Sequence, residues 1–148
     1  ANLVAIQGNY LDLSGARLIN ADFRSASLAD ANFNGADLRA VDFSGANLAN
    51  AHFQDADLHS ADFSGADLTE ADLSNAELHS ANFSGAIMQR TNLTNAQGLT
   101  SDQFAEGNGP REICIRDDNS PEDKSLDNVE LDRNCQDDAK EPEKNESD

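Results

Sequence analysis

Large apolar residues recur at every fifth position along the first 97 residues. Of the 19 positions from 3 to 93 at this spacing, 11 are Leu, 6 are Phe, one is Met and one is Gly. Two places before each of them stands a small residue, which is Ala at 16 of the 20 positions from 1 to 96. The exceptions are Ile6, Leu11, Val41 and Thr91. No insertion or deletion interrupts this five-residue register.

A period of five fits neither an α-helix nor a flat strand. A helix turns about 100° per residue, so a five-residue step spreads the apolar side chains around its whole circumference. An odd period on a flat strand sends successive apolar side chains to opposite faces. Within one unit, however, the small and the large residue are two apart and can both point inward. The next two residues are rich in Ser, Asn, Asp and Gly, which favour turns, so the pattern predicts a solenoid that bends every five residues.

A longer period predicts the number of sides. Phe23, Phe43, Phe63 and Phe83 recur every 20 residues, and the Leu positions between them group in the same way. Twenty residues per coil correspond to four five-residue sides, with like side chains stacked in columns inside. Coils one strand spacing apart, about 4.8 Å, give a rod of nearly five coils and roughly 23 Å. The sequence therefore predicts an all-β solenoid with a square cross-section.

The Ala-(Asp/Asn)-(Leu/Phe)-x-x unit resembles the motif of the pentapeptide-repeat proteins over residues 1–97. The resemblance implies a right-handed quadrilateral β-helix, and the hand comes from the resemblance alone. It also suggests an origin among the cyanobacteria, where such proteins are abundant. The residues themselves predict no catalytic residue, cofactor or metal.

The segment that follows the repeats is similar to the family's usual exit from the last coil into a short helix. Thr100 and Gln103 fit a capping box, and Gly107 fits a C-terminal stop. We therefore expect a capping helix over residues 98–107, with Leu99 and Phe104 facing the apolar end of the rod.

Residues 98–148 differ in composition, with 16 acidic and 6 basic residues. A short helix is expected to begin at Ser120 and Pro121, where acidic residues follow a good capping residue. Cys114 and Cys135 are predicted to form a disulfide within a tail over residues 108–136, and two unpaired thiols are the alternative. Residues 137–148 are polar and charged, and we expect them to be disordered.

The compartment is inferred from two features of the sequence. A disulfide implies an oxidising compartment, and the repeat register begins at Ala1 without Met, as in a mature chain after removal of a signal peptide. Trimming of a longer chain would look the same. The periplasm or the thylakoid lumen is therefore expected, with the cytoplasm as the alternative.

The charge excludes several classes of partner. The chain has 28 acidic and 10 basic residues, a formal net charge of −18. Direct binding to nucleic acid or to anionic lipid requires a basic surface, so neither is expected. No apolar run is long enough to span a membrane. Trp is absent and Tyr occurs once, which disfavours an aromatic-lined cofactor pocket.

Two outward columns of acids form the candidate acidic recognition stripe. One column holds Asp22, Asp42 and Asp62, and the other holds Asp37, Asp57 and Glu77. The alternative role is to satisfy nearby backbone groups and to solvate the rod. Acid–base catalysis is not expected, because a convex rod has no cleft to raise a carboxyl pKa.

Other outward columns are weaker candidates for a site. His59 and His79 should be adjacent and could share a metal, but their own column offers no third ligand, so an incidental solvated pair is expected and no metal site is predicted. Ser44, Ser64 and Ser84 also align, but they have no His beside them that could activate a nucleophile.

The sequence favours a non-enzymatic structural or protein-interaction rod whose partner is unknown. The alternative, taken from the resemblance, is mimicry of DNA by a protein that acts on gyrase. Roughly 23 Å of duplex carries about 14 charges, whereas residues 1–97 carry 12 acids and 4 bases, a net of −8 over four faces.

We also expect weak end-to-end self-association through the first coil, because the open end of that coil would expose apolar residues. These are Leu3, Ile6, Leu11, Leu13 and Leu18.

Overall fold

The structure is a computed structural model, and it describes residues 1–104. The predicted disulfide between Cys114 and Cys135, the helix expected at Ser120, the stop at Gly107 and the tail over residues 137–148 lie outside the described residues.

The backbone of residues 1–97 winds in coils of 20 residues. The strands are single-residue parallel bridges, and each joins the second residue of a unit to the residue 20 places later, from Asn2↔Asp22 to Glu77↔Gln97. The bridges fall into four columns, which begin at residues 2, 7, 12 and 17. The prediction of a four-sided solenoid with stacked coils is therefore confirmed.

Backbone hydrogen bonds join each coil to the next. The Phe43 amide donates to the Asp62 carbonyl at 2.8 Å, and the Asp42 amide donates to the Ala21 carbonyl at 2.9 Å. At each corner the next unit closes a turn, as where the Ala46 amide donates to the Phe43 carbonyl at 2.9 Å. The same pattern repeats along the rod, so the polar backbone is satisfied without extended strands.

Every corner has a residue in the left-handed backbone region. All 19 fifth-position residues from 5 to 95 have positive φ, but only five of them are Gly, and the other 14 carry a side chain. The corner amide makes an inter-coil bond, as from Asp30 to the Ala49 carbonyl at 2.9 Å. This bond recurs from coil to coil and helps to offset the cost of positive φ in a residue with a Cβ.

The interior is filled by stacked side chains. Phe43 lies between Phe23 and Phe63, with ring centroids 5.2 and 5.4 Å away, and these three side chains are fully buried. A second stack contains Phe33 and Phe53 at 5.0 Å and meets the first stack edge to face. The predicted Phe column is confirmed.

Three exceptions to the repeat compensate one another in the first coil. Gly8 takes a large position, while Ile6 and Leu11 take the small positions on either side of it. A Cβ on Gly8 would lie 3.0 Å from Leu28 Cδ2 and within 3.5 Å of Ile6 and Leu11 side-chain atoms. The flanking side chains and Leu28 therefore occupy the space that a large residue fills elsewhere.

The first coil is the exposed end of the described rod. Leu3, Ile6, Leu13 and Leu18 are only partly buried, and Leu11 is exposed. End-to-end self-association through these residues stays a prediction, which sedimentation over a wide range of concentrations would check.

The other end carries a cap. A 3-10 helix over Ser101–Phe104 follows the last coil, inside the segment 98–107 where a capping helix is expected. The Phe104 ring stacks on Phe83 at 5.3 Å, and Leu99 is buried. The inward orientation predicted for Leu99 and Phe104 is confirmed.

Gln103 fastens this cap to the last coil. Its side-chain amide donates to the Leu78 carbonyl at 2.6 Å, and its Oε1 accepts the Thr100 amide at 2.7 Å. Its own carbonyl accepts the Phe83 amide at 2.9 Å. The Gln half of the predicted capping box is therefore present, and the same side chain also bonds the preceding coil.

Replacing Gln103 by Ala should lower the free energy of unfolding by about 1–3 kcal/mol, because buried partners lose their hydrogen bonds. Urea denaturation measures this loss, and faster hydrogen exchange at the Thr100 amide would locate it. The control is Asp102→Ala in the same turn, whose side chain is exposed. Equal stability of the two variants would contradict the role assigned to Gln103.

Candidate interaction surface

The second residue of each unit faces outward, and where it is Asp or Asn its side-chain oxygen often accepts the backbone amide two residues later. Asp42 Oδ1 accepts the Ser44 amide at 2.9 Å, and Asp62 Oδ1 accepts the Ser64 amide at 2.9 Å. Asn92 does the same for Thr94 at 3.0 Å. Asp and Asn favour such local bonds to the amide two residues on, which explains why these two residue types recur at this place.

The first acidic column contains Asp22, Asp42 and Asp62, which are joined by successive bridges. Arg24 makes a bidentate contact with Asp22 at 2.9 and 2.7 Å and reaches Asp42 at 3.8 Å. This cation lies two residues after the first acid, so both side chains project from the same side of the coil. The hydrogen bond from Arg24 lowers the pKa of Asp22 below its ordinary value.

Asp62 differs from Asp22 in the type of its partners. It accepts hydrogen bonds from the neutral Ser64 amide and from Asn82 Nδ2 at 3.3 Å. Within the described residues, Arg24 therefore offsets the charge of Asp22 and part of that of Asp42, whereas Asp62 makes no ion pair.

The second acidic column contains Asp37, Asp57 and Glu77, and each acid has a basic residue two places later. Arg39 contacts Asp37 through two hydrogen bonds of 2.8 Å and reaches Asp57 at 3.7 Å. The repeated spacing places a basic side chain beside each acid of this column, and Arg39 supplies its permanent positive charge. The two predicted columns of acids are present, and nearby cations neutralise part of their charge. Their role in recognition stays a prediction.

The hydrogen bond from Arg39 lowers the pKa of Asp37. Replacing Arg39 by Gln should therefore raise that pKa towards the ordinary value, as measured by NMR titration of the Asp37 carboxyl group. The folded-state pKa is depressed, so the contact stabilises the protein above the unfolded pKa of about 3.9 and is lost as pH falls through the folded value. Asp22 keeps Arg24 and is the internal control. An unchanged pKa at Asp37 would contradict this assignment.

The rod is not convex throughout, contrary to the expectation from the sequence. An open depression of about 500 Å³ lies beside the cap and is lined by His79, Ser80, Asn82, Gly98 and Thr100, among others. It forms because the chain leaves the coil register at Gly98, where φ is +78°.

Sequence reasoning missed the basic partners of the acids. It compared residues along each column, 20 apart, and overlooked residues two apart on the same coil. The spacing Asp-Leu-Arg at 37–39 and Asp-Leu-His at 57–59 was the available signal, because alternate residues of an extended segment share a side.

These features define a four-sided β-solenoid built from five-residue units. The sequence pattern of pentapeptide repeats matches residues 11–45, 36–75 and 76–97, with 8 copies. The chain therefore belongs to the pentapeptide repeat family. Members of this family form right-handed β-helices, which supports the expected hand, and they generally serve structural or interaction roles.

Several solved structures are similar. A pentapeptide repeat protein from the thylakoid lumen of Arabidopsis thaliana has 37% identity and a TM-score of 0.60, with 68% of this chain and 72% of that chain covered. One from the cyanobacterium Cyanothece 51142 has 31% identity and a TM-score of 0.58, with 58% of each chain covered. One from Nostoc PCC 7120 has 30% identity and a TM-score of 0.57, with 64% of this chain and 78% of that chain covered.

No curated protein shows significant similarity to the chain. In residues 1–104, no helix has the length and apolar character needed to cross a membrane.

Proposed function

We propose that this protein is a non-enzymatic solenoid that binds another protein through its outer faces, in the periplasm or the thylakoid lumen. The observation that carries the proposal is the packed interior. From Phe23 to Phe83 the inward side chains are buried and fill the tube, so ligands meet the outward columns. Outward columns on a rigid rod present side chains at fixed, repeated spacing, as solenoid binding surfaces do.

The charge of the surface indicates the chemistry of the partner. Asp42 and Asp62 are adjacent and half-buried, and their hydrogen bonds come from neutral groups, with Arg24 reaching only Asp42 of the two, at 3.8 Å. A partner segment rich in Lys or Arg would neutralise both carboxylates and would be attracted by the net charge of −18.

Two observations support the compartment. A similar protein lies in the thylakoid lumen of Arabidopsis thaliana. The chain also contains two cysteines outside the repeats, and the disulfide predicted between them would require an oxidising compartment. Fractionation of cells that express the natural gene with a tag tests the proposed compartment. Recovery of the tagged protein with cytoplasmic markers would contradict it.

The binding test compares the full chain with Asp42→Asn/Asp62→Asn. Asn preserves the local turn bond, as Asn92 shows, but removes both charges. Immobilised protein is exposed to periplasmic or lumenal extract, and retained proteins are quantified at low and high salt. We expect salt-sensitive retention of a basic protein by the natural chain and weaker retention by the variant.

The matched control is Asp55→Asn/Asp72→Asn, which removes the same charge from another face. Equal loss of retention in both variants would contradict a specific surface.

DNA mimicry is the competing function, and inhibition of purified gyrase by the chain would favour it. Arg24 and Arg39 oppose that function, because they neutralise acids that a copy of the duplex would need.

A further inference from the structure

Two histidines lie side by side on one outer face. His59 and His79 occupy the fourth position of units that are 20 residues apart, so consecutive coils present them at the same place. Their rings are nearly parallel, with an angle of 11° and centroids 4.8 Å apart. His59 is half-buried and His79 is exposed, so an ion from solvent can reach the pair.

A third ligand comes from the neighbouring column. The Glu77 carboxylate lies two residues before His79, and the candidate ligand atoms of His59, Glu77 and His79 all lie within 4.8 Å of one another. The sequence-based expectation of an incidental pair considered only the column that contains the histidines. The structure shows that Glu77, from the adjacent acidic column, lies close enough to both histidines to be a third ligand.

Asp57 orients one of the imidazoles. His59 Nδ1 lies 2.6 Å from Asp57 Oδ1. A carboxylate oxygen can only accept, so Nδ1 carries a proton, and Nε2 is the nitrogen of His59 that is left to bind a metal. A carboxylate behind a histidine is the usual outer support of a metal ligand, because it fixes the tautomer and the ring orientation.

We propose that His59, Glu77 and His79 bind a divalent transition-metal ion of the Zn²⁺ class, with Asp57 as the positioning residue for His59. Two imidazole nitrogens and one carboxylate oxygen suit Zn²⁺, whereas Ca²⁺ and Mg²⁺ prefer oxygen ligands alone. Ligand distances of about 2.0–2.2 Å require the atoms to approach one another. Rotation of these accessible side chains provides the movement, and water fills the remaining coordination position.

The site has a mechanical consequence for the rod. His59 lies on the third coil, and Glu77 and His79 lie on the fourth, if coils are counted in twenties from Ala1. A bound ion would join two coils by ligand bonds that the unfolded chain lacks. Zn²⁺ should therefore raise the thermal midpoint of the folded protein.

The test is titration of the full chain with ZnCl₂ by calorimetry, in a Cys114→Ser/Cys135→Ser background, because thiolates also bind zinc. Within this background, His59→Gln/His79→Gln is compared with His52→Gln, which removes a histidine from another face. We expect one Zn²⁺ per chain and a loss of affinity of at least about tenfold in the double His variant. His52→Gln should retain the affinity of the background chain.

The proposal is overturned if the background chain binds no Zn²⁺, if the double His variant loses less than tenfold, or if His52→Gln loses as much. Circular dichroism of each variant confirms that the coils are intact, so loss of binding cannot come from unfolding. A second readout is NMR of the imidazole nitrogens, where Zn²⁺ should shift His59 and His79 and leave His52 unchanged. CaCl₂ at the same concentration should shift none of them.

Discussion

Replacing Phe43 by Ala should lower the free energy of unfolding by about 3–5 kcal/mol. The Phe43 ring is fully buried, stacks between Phe23 and Phe63, and meets Phe33 and Phe53 edge to face. The inter-coil hydrogen bonds hold the surrounding backbone at a fixed spacing, so the walls cannot close around the missing ring. The substitution therefore costs both the transfer free energy of the ring and the cavity that remains.

Urea denaturation followed by circular dichroism measures this loss. Tyr10→Ala is the control, because the Tyr10 side chain is 78% exposed and its removal should change stability by less than about 0.5 kcal/mol. Phe43→Leu should give an intermediate loss, since Leu fills most other large positions of the repeat. Similar stabilities of Phe43→Ala and Tyr10→Ala would contradict the placement of Phe43 in a packed interior.

Enlarging a small inward position should be nearly as harmful. Ala56→Leu should destabilise the protein by about 3 kcal/mol, because Ala56 is fully buried and the added atoms have no free volume to occupy. Ala36 and Ala76 lie in the same column, one coil away on either side, and are also buried. The strain would force adjacent coils apart and weaken the hydrogen bonds between them.

The same column supplies the control for this second substitution. Ala16 is only partly buried at the exposed end of the rod, so Ala16→Leu should cost much less than Ala56→Leu. Thermal unfolding of both variants measures the difference. If Ala56→Leu were as stable as Ala16→Leu, the small inward positions would have more space than the structure shows.

Most of the fold follows from the local sequence because each coil repeats the same contacts. The five-residue spacing fixes which side chains can point inward, and the 20-residue recurrence of Phe fixes the number of sides. Both predictions agree with the bridges and the stacked rings. In the sequence, Ile6, Gly8 and Leu11 are three separate exceptions to the repeat. The sequence does not show that the large side chains of Ile6 and Leu11 fill the space left by Gly8.

The surface was less predictable than the interior. The columns of acids followed from the period, but the contacts of Arg24 and Arg39 with those acids depend on the rotation of long exposed side chains. The cap shows the same limit. Gln103 was expected to form a capping box with Thr100, and it does, but its second bond, to the Leu78 carbonyl, joins residues 25 apart.

For this protein, the sequence by itself determined the period, the inward residues and the number of sides. These features depend on the alternation of small, large and turn-forming residues within one unit, which is a local property. Only the tertiary structure decided which outward groups of neighbouring columns meet, such as His59 with Asp57 and Arg39 with Asp57. Those contacts depend on the rotation of exposed side chains, which the spacing of the repeat does not encode.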